Sequence, residues 1–361
     1  MDISLLDKNF ASLGADDGSV EWISSHDERF SLHGVYFDEQ NGLYMRVPDE
    51  VSEKANRALL TLAKMTAGGR LRFVTDSPLI AIKASLPAFT PMPHISITGS
   101  HGFSVYIDGR FRARYSPKFE DFIGVPSGLS GRVCFAEKKN FADCGRKRVV
   151  DIYFPLYGGV AELYIGLANG SSVECAPEYT YKKPLLFYGS SITQGACVSR
   201  PGNDYIAILA RRLDSDYINL GFSGNGNAED AIIDYITSID ASVYAFDYNL
   251  YRSRPERVLP PHYSIYERIR EKHPDAGILL YDKPGCDYEG FAEREDIIRS
   301  TYERAKEQGD SRVAFVPTKA LLGEGERDCC MTDPSHPNDL GAMRVADALY
   351  PAIKELLEHN N

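Results

Sequence analysis

The sequence lacks the long apolar runs of membrane proteins and the cysteine pairs of zinc and redox motifs. Nowhere do eighteen uncharged apolar residues follow one another, and the first residues carry acids where a signal peptide carries an apolar stretch. The seven cysteines are odd in number and show no C-x-x-C spacing. We therefore expect a cytoplasmic protein with reduced thiols and no membrane partner.

Basic residues are also scarce relative to acidic ones. The chain has 40 Lys and Arg against 51 Asp and Glu, a formal charge of −11. Such a surface repels phosphate backbones, so nucleic acid is not expected as a partner. The 43% hydrophobic and 25% charged residues are typical of a globular protein, and 361 residues exceed the usual size of a single core. Two domains are the first expectation.

The region from about residue 69 to 173 has the pattern of antiparallel β structure. Stretches such as "RLRFVTDSPLIAIKASL" and "RVVDIYFPLY" alternate apolar and polar residues between turn signals. In "YIDGRF", Asp108-Gly109 predicts a tight hairpin turn. Residues 22–47 carry enough aromatic and β-branched residues to add strands, and 51–65 has the pattern of one helix. The spacing predicts a sandwich or jelly roll.

After "APEYTYKKP" the pattern changes to alternating strands and helices, which predicts a parallel sheet covered on both faces. We place the boundary near Lys182–Lys183, giving domains 1–182 and 183–361. The predicted strands are Leu185–Tyr188, Tyr217–Leu220, Val243–Asp247, Ile278–Tyr281 and Val313–Val316, and the predicted helices are 203–213, 228–238, 263–272, 291–307 and 339–357.

Residues suited to acyl transfer follow several of these strands. Ligands bind outside the carboxyl ends of strands in an open parallel sheet, so the residues after each strand are the ones to inspect. They are Ser190-Ser191, the glycine-rich turn 221–226, Asn249 and the pair Asp333-x-x-His336 before the last helix. A serine, a base, a carboxylate that orients the base and donors for an oxyanion are what acyl transfer requires.

The same residues resemble the blocks of the SGNH (GDSL-type) hydrolases. "YGSSITQG" is similar to the first block, "NLGFSGNG" to the second, "FDYN" loosely to the third and "DPSHPNDLG" to the last, over about residues 184–357. More narrowly, the chain resembles bacterial SGNH hydrolases that carry an N-terminal β-sandwich. The resemblance implies a flavodoxin-like α/β/α sandwich preceded by an all-β, jelly-roll-like domain.

Carried over by position, the resemblance implies a catalytic triad and an oxyanion hole. Ser191 would be the nucleophile, His336 its general base and Asp333 the carboxylate that orients the imidazole. The oxyanion hole would consist of the backbone amides of Ser191 and Gly224 and the side-chain amide of Asn249. Such enzymes require no metal and no cofactor.

The sequence departs from the family pattern at two blocks. The usual Gly-Asp-Ser reads Gly189-Ser190-Ser191 here, and the usual Gly-x-Asn-Asp reads Asp247-Tyr248-Asn249-Leu250. In the second block, Gly226 could take the place of Gly224 if the turn is displaced by two residues. An α/β-hydrolase is disfavoured, because its G-x-S-x-G elbow is absent at this site.

Two further residues near the first block are candidates for substrate binding. Cys197 could be a rival nucleophile, which would require a stabilised thiolate, but its position six residues after Ser191 favours a residue of the site wall. Arg200 could bind an anionic or hydroxyl-rich substrate, and a surface ion pair is the alternative.

These features predict a serine esterase that hydrolyses short-chain, acetyl-type esters. The resemblance implies O-acetylated carbohydrates as the substrate, with a small molecule or an oligosaccharide as the partner. A short acyl group is favoured because no long apolar lid segment is present in the catalytic half of the sequence. Two alternatives stay open. The protein could be a carbohydrate-binding protein with an inactive hydrolase domain, or an acyltransferase to a sugar acceptor.

Overall fold

The computed structural model describes residues 18–89, 91–141, 145–247, 262–285 and 291–358. The chain forms two compact units. The first comprises the described residues up to Arg46, Lys64–Glu178 and Ser199–Gly202, and the second comprises Val47–Ala63, Tyr179–Val198 and the described residues from Asn203 onward. The main passage between units thus lies close to the predicted boundary at 182–183, which stays a prediction because two short segments cross it.

The first unit consists mainly of antiparallel strands, as the alternating pattern predicts. The strands are β1 (Val20–Ser24), β2 (Ser31–His33), β3 (Tyr36–Asp38), β4 (Leu43–Met45), β5 (Arg70–Thr75), β6 (Leu79–Ala88), β7 (Phe103–Ile107), β8 (Arg110–Tyr115), β9 (Gly128–Asn140), β10 (Arg148–Tyr153), β11 (Glu162–Ala168) and β12 (Val173–Glu174). A short helix spans Ile97–His101, and a 3₁₀ helix spans Phe119–Phe122.

These strands form two main sheets that share one core. One sheet has the order β1-β11-β6-β9, the other has the order β12-β5-β10-β7-β8 with β2 beside β5, and β3 and β4 form a separate ribbon. Apolar side chains from both sheets, among them Phe73, Ile82, Val105 and Leu163, belong to one buried cluster. The β-sandwich is therefore confirmed, whereas the jelly-roll connectivity stays a prediction.

The predicted hairpin at "YIDGRF" is confirmed. Strands β7 and β8 pair antiparallel, with Ile107 opposite Arg110, and the two residues between them have positive φ angles of 49° at Asp108 and 73° at Gly109. Two successive positive φ angles match the right-handed twist of the flanking strands, and this is why Asp-Gly is favoured here.

The second unit is a parallel sheet with helices between its strands. Its strands are β13 (Tyr181–Gly189), β14 (Ser215–Gly221), β15 (Val243–Phe246), β16 (Gly277–Tyr281) and β17 (Val313–Val316). Its helices, numbered here from α1, are α1 (Asp49–Ala55), α2 (Leu59–Leu62), α3 (Ser191–Gln194), α4 (Tyr205–Leu213), α5 (Asp230–Ile236), α6 (His262–Lys272), α7 (Phe291–Glu307), α8 (Thr318–Leu321) and α9 (Asp339–Glu358). The five predicted strands and the five predicted helices of this half are confirmed.

The sheet has the order β14-β13-β15-β16-β17, and every pair in it is parallel. Numbered along the chain, this is the flavodoxin-like order 2-1-3-4-5, whose direction reverses between β13 and β15. Helices α4 and α9 pack against each other, as do α6 and α7, which gives the helical layers. Ligands are expected at the carboxyl edge, beside the ends of β13 and β15.

The prediction of one helix over residues 51–65 is wrong. Helix α1 ends at Ala55, Asn56 is extended with φ −163°, and a separate turn begins at Leu59. The Asn56 side chain explains the break, because its Oδ1 accepts from Ala58 N at 3.0 Å and its Nδ2 donates to Glu229 Oε1 at 2.6 Å. Such bonds compete with those of a continuing helix.

Within the described ranges, no helix combines the length and the apolar character that crossing a bilayer requires.

Candidate active site

Ser191 lies at the junction of strand β13 and the short helix α3. The strand ends at Gly189, and Ser190 caps the helix by accepting a hydrogen bond from Ile192 N at 3.2 Å. The helix stops after one turn at Gly195, whose φ of 98° is in the left-handed region that favours glycine. A sharp strand-to-helix turn therefore presents Ser191 at the carboxyl edge of the sheet.

Three of the predicted site residues are joined by hydrogen bonds. The Ser191 Oγ lies 2.9 Å from His336 Nε2, and His336 Nδ1 lies 2.8 Å from Asp333 Oδ2 and 3.0 Å from Asp333 Oδ1. The His336 side chain is 20% exposed and that of Asp333 is 31% exposed. The arrangement can transfer a proton from a hydroxyl to an imidazole, and water can reach it.

The loop before α9 holds Asp333 and His336 in one conformation. Asp333 Oδ1 accepts from Ser335 N at 2.7 Å and from His336 N at 2.9 Å. Burial alone would raise the pKa of Asp333, but the hydrogen bonds from the His336 side chain and from these two amides outweigh it and lower the pKa. The carboxylate is thus ionised and fixed opposite Nδ1. Asn338 caps the helix that follows, accepting from Leu340 N and Gly341 N at 3.0 and 3.2 Å.

The glycine-rich turn after β14 packs closely against the residues of the first motif block, "YGSSITQG". A Cβ on Gly221 would lie 2.1 Å from Gln194 N, and a Cβ on Gly226 would lie 2.4 Å from Gly189 O. Gln194 Oε1 in turn accepts from Ser223 N at 2.9 Å. Close backbone packing therefore explains the glycines at 221 and 226.

Gly224 differs from its neighbours. It has a φ of 67° and open space where a side chain would be, and its amide makes no hydrogen bond to another described residue. An amide in this state can donate to a substrate oxygen. Asn249, the other predicted donor from outside the first block, lies outside the described residues.

Asp247 is a buried carboxyl group to which the resemblance to the SGNH hydrolases assigns no role. Its Oδ1 accepts from Ser190 N and its Oδ2 from Ser190 Oγ, both at 3.0 Å. Burial raises the pKa of Asp247 to about 7, although hydrogen bonds from Thr193 and Ser190 act in the opposite direction. One signal in the sequence points to this residue, which is the departure of the third block from its usual pattern.

Replacing Asp247 by Asn is expected to change how stability depends on pH. With a folded pKa of about 7, the folded state binds this proton more tightly than the unfolded chain, so the free energy of unfolding falls as pH rises from about 4 to 7. The asparagine side chain does not titrate, so the variant lacks this fall. The free energy of unfolding of the variant minus that of the parent should therefore be about 2–3 kcal/mol larger at pH 8 than at pH 5.

Urea denaturation of parent and variant at the two pH values measures this difference. The other ionisable groups that interact with Asp247 are Tyr205, Tyr281, Asp282 and Lys283, and they are present in both proteins. An equal stability difference at pH 5 and pH 8 would contradict the raised pKa.

Cys197 lies beside Asp333 and His336, and its side chain is a neutral thiol. Its Sγ lies within 4.8 Å of a carboxylate oxygen of Asp333 and a ring nitrogen of His336. Burial, and then the negative charge of Asp333, raise the pKa of the Cys197 thiol to about 11. A neutral thiol is a poor nucleophile at pH 7, which favours the prediction of a wall residue over that of a rival nucleophile.

Arg200 lies in the segment 199–202, which belongs to the first unit. Its Nη1 donates to Tyr106 Oη at 2.6 Å, and its guanidinium lies 3.6 Å from the centre of the Phe111 ring. Both contacts are to aromatic side chains of the same unit. Binding of substrate by Arg200 stays a prediction.

The fold and the hydrogen-bonded serine, histidine and aspartate define the class of SGNH-type hydrolases. The GDSL-like lipase/acylhydrolase family matches residues 182–354, and the N-terminal domain of SGNH-hydrolase-type esterases matches residues 20–173. The chain belongs to the SGNH (GDSL-type) hydrolase superfamily and is an esterase of that type. No curated protein matches the chain.

Three solved structures are similar to the chain over most of its length. A protein named as a GDSL-like lipase from Bacteroides ovatus ATCC 8483 has 24% identity and a TM-score of 0.77, covering 94% of this chain and 98% of that one. The salicylyl-acyltransferase SsfX3 of a tetracycline biosynthetic pathway has 18% identity and a TM-score of 0.71, with the same coverage. A family two carbohydrate esterase from Cellvibrio japonicus has 14% identity and a TM-score of 0.59, covering 95% and 99%. At these identities the likeness shows the fold.

Proposed function

We propose that the protein is a serine esterase that removes short acyl groups, acetyl above all, from carbohydrate hydroxyls. The observation that carries the proposal is the hydrogen-bonded series from Ser191 Oγ through His336 to Asp333 at the carboxyl edge of the sheet. In this role Ser191 is the nucleophile, His336 the general base and Asp333 the carboxylate that fixes the tautomer of the imidazole.

The reaction would take place in two halves. The Ser191 oxygen attacks the ester carbonyl while His336 Nε2 accepts its proton, and collapse of the tetrahedral intermediate breaks the bond to the alcohol, which leaves with that proton. Water then gives a proton to His336 and attacks the acyl-enzyme, and the acid and the free serine are formed. The ionised Asp333 stabilises the imidazolium in both halves.

The oxyanion would be stabilised by amides near the nucleophile. The turn at Ser191 begins a helix, and Gly224 has an amide without a partner among the described residues. We propose the amides of Ser191 and Gly224 as two donors and the Asn249 side chain as the third. Donors that are already oriented before reaction are worth several kcal/mol to such a transition state, at about 3 kcal/mol each.

A carbohydrate ester is the substrate class that we favour. The support is the similarity in fold to the Cellvibrio japonicus carbohydrate esterase. A small-molecule or oligosaccharide ester is thus the proposed partner, with no cofactor, no nucleic acid and no membrane. The cytoplasmic location stays a prediction, which cell fractionation tests.

Acetate release from a panel of acetylated sugars and oligosaccharides tests the proposal. Parent protein and Ser191→Ala are assayed side by side, with acetate quantified enzymatically and the deacetylated sugar identified by mass. We expect turnover of at least one acetylated carbohydrate by the parent. Turnover confined to long-chain esters would reject the substrate class, and no turnover of any ester would reject the function.

Acyl transfer to a sugar acceptor is a second candidate, because the fold is also similar to that of an acyltransferase. It would use the same acyl-enzyme, with a hydroxyl in place of water in the second half. Incubation with a p-nitrophenyl ester and a sugar, followed by mass analysis, would reveal acylated sugar. The carbohydrate-binding alternative predicts instead that glycans bind to the parent and to Ser191→Ala equally, without any turnover.

A further inference from the structure

Two of the positions at which the sequence departs from the motif blocks are joined by hydrogen bonds. Ser190 stands where the first block usually has aspartate, and Asp247 stands where the third block usually has glycine. Both oxygens of the Asp247 carboxyl accept from Ser190, one from the backbone amide and one from the hydroxyl, at 3.0 Å each. The departures at 190 and 247 therefore belong to one structural feature.

This pair fixes the residue that precedes the nucleophile. The Ser190 hydroxyl, held by Asp247, also accepts from Ile192 N at 3.2 Å, so the hydrogen bonds extend to both sides of Ser191. Asp247 itself follows β15 directly, and its amide donates to Tyr188 O at 3.2 Å. The carboxyl therefore links the ends of the two strands that border the point where the sheet order reverses.

The surrounding residues leave room for this carboxyl group and for little else. A Cβ on Gly189 would lie 1.3 Å from Asp247 Oδ1, so any side chain at 189 would expel it. Asp247 is 1% exposed, and burying an acidic group costs free energy that an apolar residue of similar size would not. A buried acidic group beside the nucleophile is therefore a candidate for function.

We propose that Asp247 is a positioning residue for Ser191, acting through Ser190. It holds the backbone at 190 so that the Ser191 oxygen stays at 2.9 Å from His336 Nε2 before substrate arrives. The inference rests on the proposed function, because it assigns Asp247 a part in presenting that nucleophile. Displacement of a reacting group by about 1 Å costs on the order of 100-fold in rate.

The test compares Asp247→Ala with the conservative Asp247→Asn. Ala removes both acceptors from Ser190, and we expect kcat for p-nitrophenyl acetate to fall by roughly 10- to 100-fold while KM changes by less than about threefold. Asn keeps one oxygen for the Ser190 amide, and we expect it to retain kcat within about fivefold of the parent. Rates are expressed per reactive serine, counted by labelling with a fluorophosphonate and intact mass.

A matched control separates positioning from lost stability. Asp310 is partly buried, with a side chain 10% exposed and an ion pair to Arg270 at 3.0 Å, but it precedes β17 at the opposite, amino edge of the sheet. Asp310→Ala should lower the melting temperature and leave kcat per reactive serine unchanged. A fall in kcat for Asp247→Ala no larger than that of the control would overturn the proposal.

A double-variant cycle with Ser190→Ala tests the route of the effect. If Asp247 acts through Ser190, adding Ser190→Ala to Asp247→Ala should reduce kcat by less than about threefold further, because the two residues share one interaction. Fully additive losses would show that Asp247 acts by another route. An inactive parent would instead reject the esterase function, which distinguishes the two failures.

Discussion

Ser191→Ala is expected to lower kcat by roughly 10⁴- to 10⁶-fold on any ester that the parent hydrolyses. Without the hydroxyl no acyl-enzyme forms, and the remaining groups can only polarise the carbonyl and activate water. The His336 imidazole loses one hydrogen bond at 2.9 Å and keeps its bonds to Asp333, so the fold should be retained. We expect KM to change little, because the substitution leaves the groups that bind the substrate in place.

Steady-state kinetics of both proteins with p-nitrophenyl acetate, together with mass detection of an acetylated Ser191 peptide, measure this loss. Cys197→Ser is the informative companion, because the Cys197 thiol lies beside Asp333 and His336. Since that thiol is neutral, we expect kcat of the same order as that of the parent. Comparable activity of the parent and Ser191→Ala would show that Ser191 is not the nucleophile. Loss confined to Cys197→Ser would reassign that role to the thiol.

The overall fold followed from local patterns because each element has its own signal. The predicted strand segments of the second unit, such as Leu185–Tyr188 and Ile278–Tyr281, are short apolar runs, which is typical of a parallel sheet covered on both faces. Such patterns extend over a few residues, so they can be recognised without knowing which strands pair with each other. The break at Asn56 had no such signal, because the competing contact is made with Glu229, which is distant in sequence.

The contacts of the candidate site also differ in whether the sequence could predict them. Asp333 and His336 are three residues apart in one loop, so their contact could be expected from spacing alone. Ser191 and His336 are 145 residues apart, and only the parallel order of strands brings them together. The bond between Ser190 and Asp247 joins two motif departures across 57 residues and could not be predicted, because neither residue alone indicates its partner.

Asp333→Asn is expected to reduce kcat by roughly 10³- to 10⁴-fold while leaving the loop in place. In the parent, Asp333 Oδ1 accepts from Ser335 N and His336 N, and an asparagine oxygen can accept from the same two amides. The amide nitrogen would then face His336 Nδ1 and donate to it. This selects the tautomer with the proton on Nε2, which cannot accept the proton of Ser191.

The melting temperature of Asp333→Asn and its pattern of fluorophosphonate labelling separate the tautomer effect from structural damage. We expect a melting temperature within a few degrees of the parent and labelling that is slow but complete, because the nucleophile is present and only its activation is lost. His336→Ala should lose activity to a similar extent, and the double variant should be no worse than the poorer single one, since the two residues act as a unit. If Asp333→Asn kept more than about a tenth of the parent kcat, the carboxylate would not be what fixes the imidazole, and another group near Nδ1 would have to hold the productive tautomer.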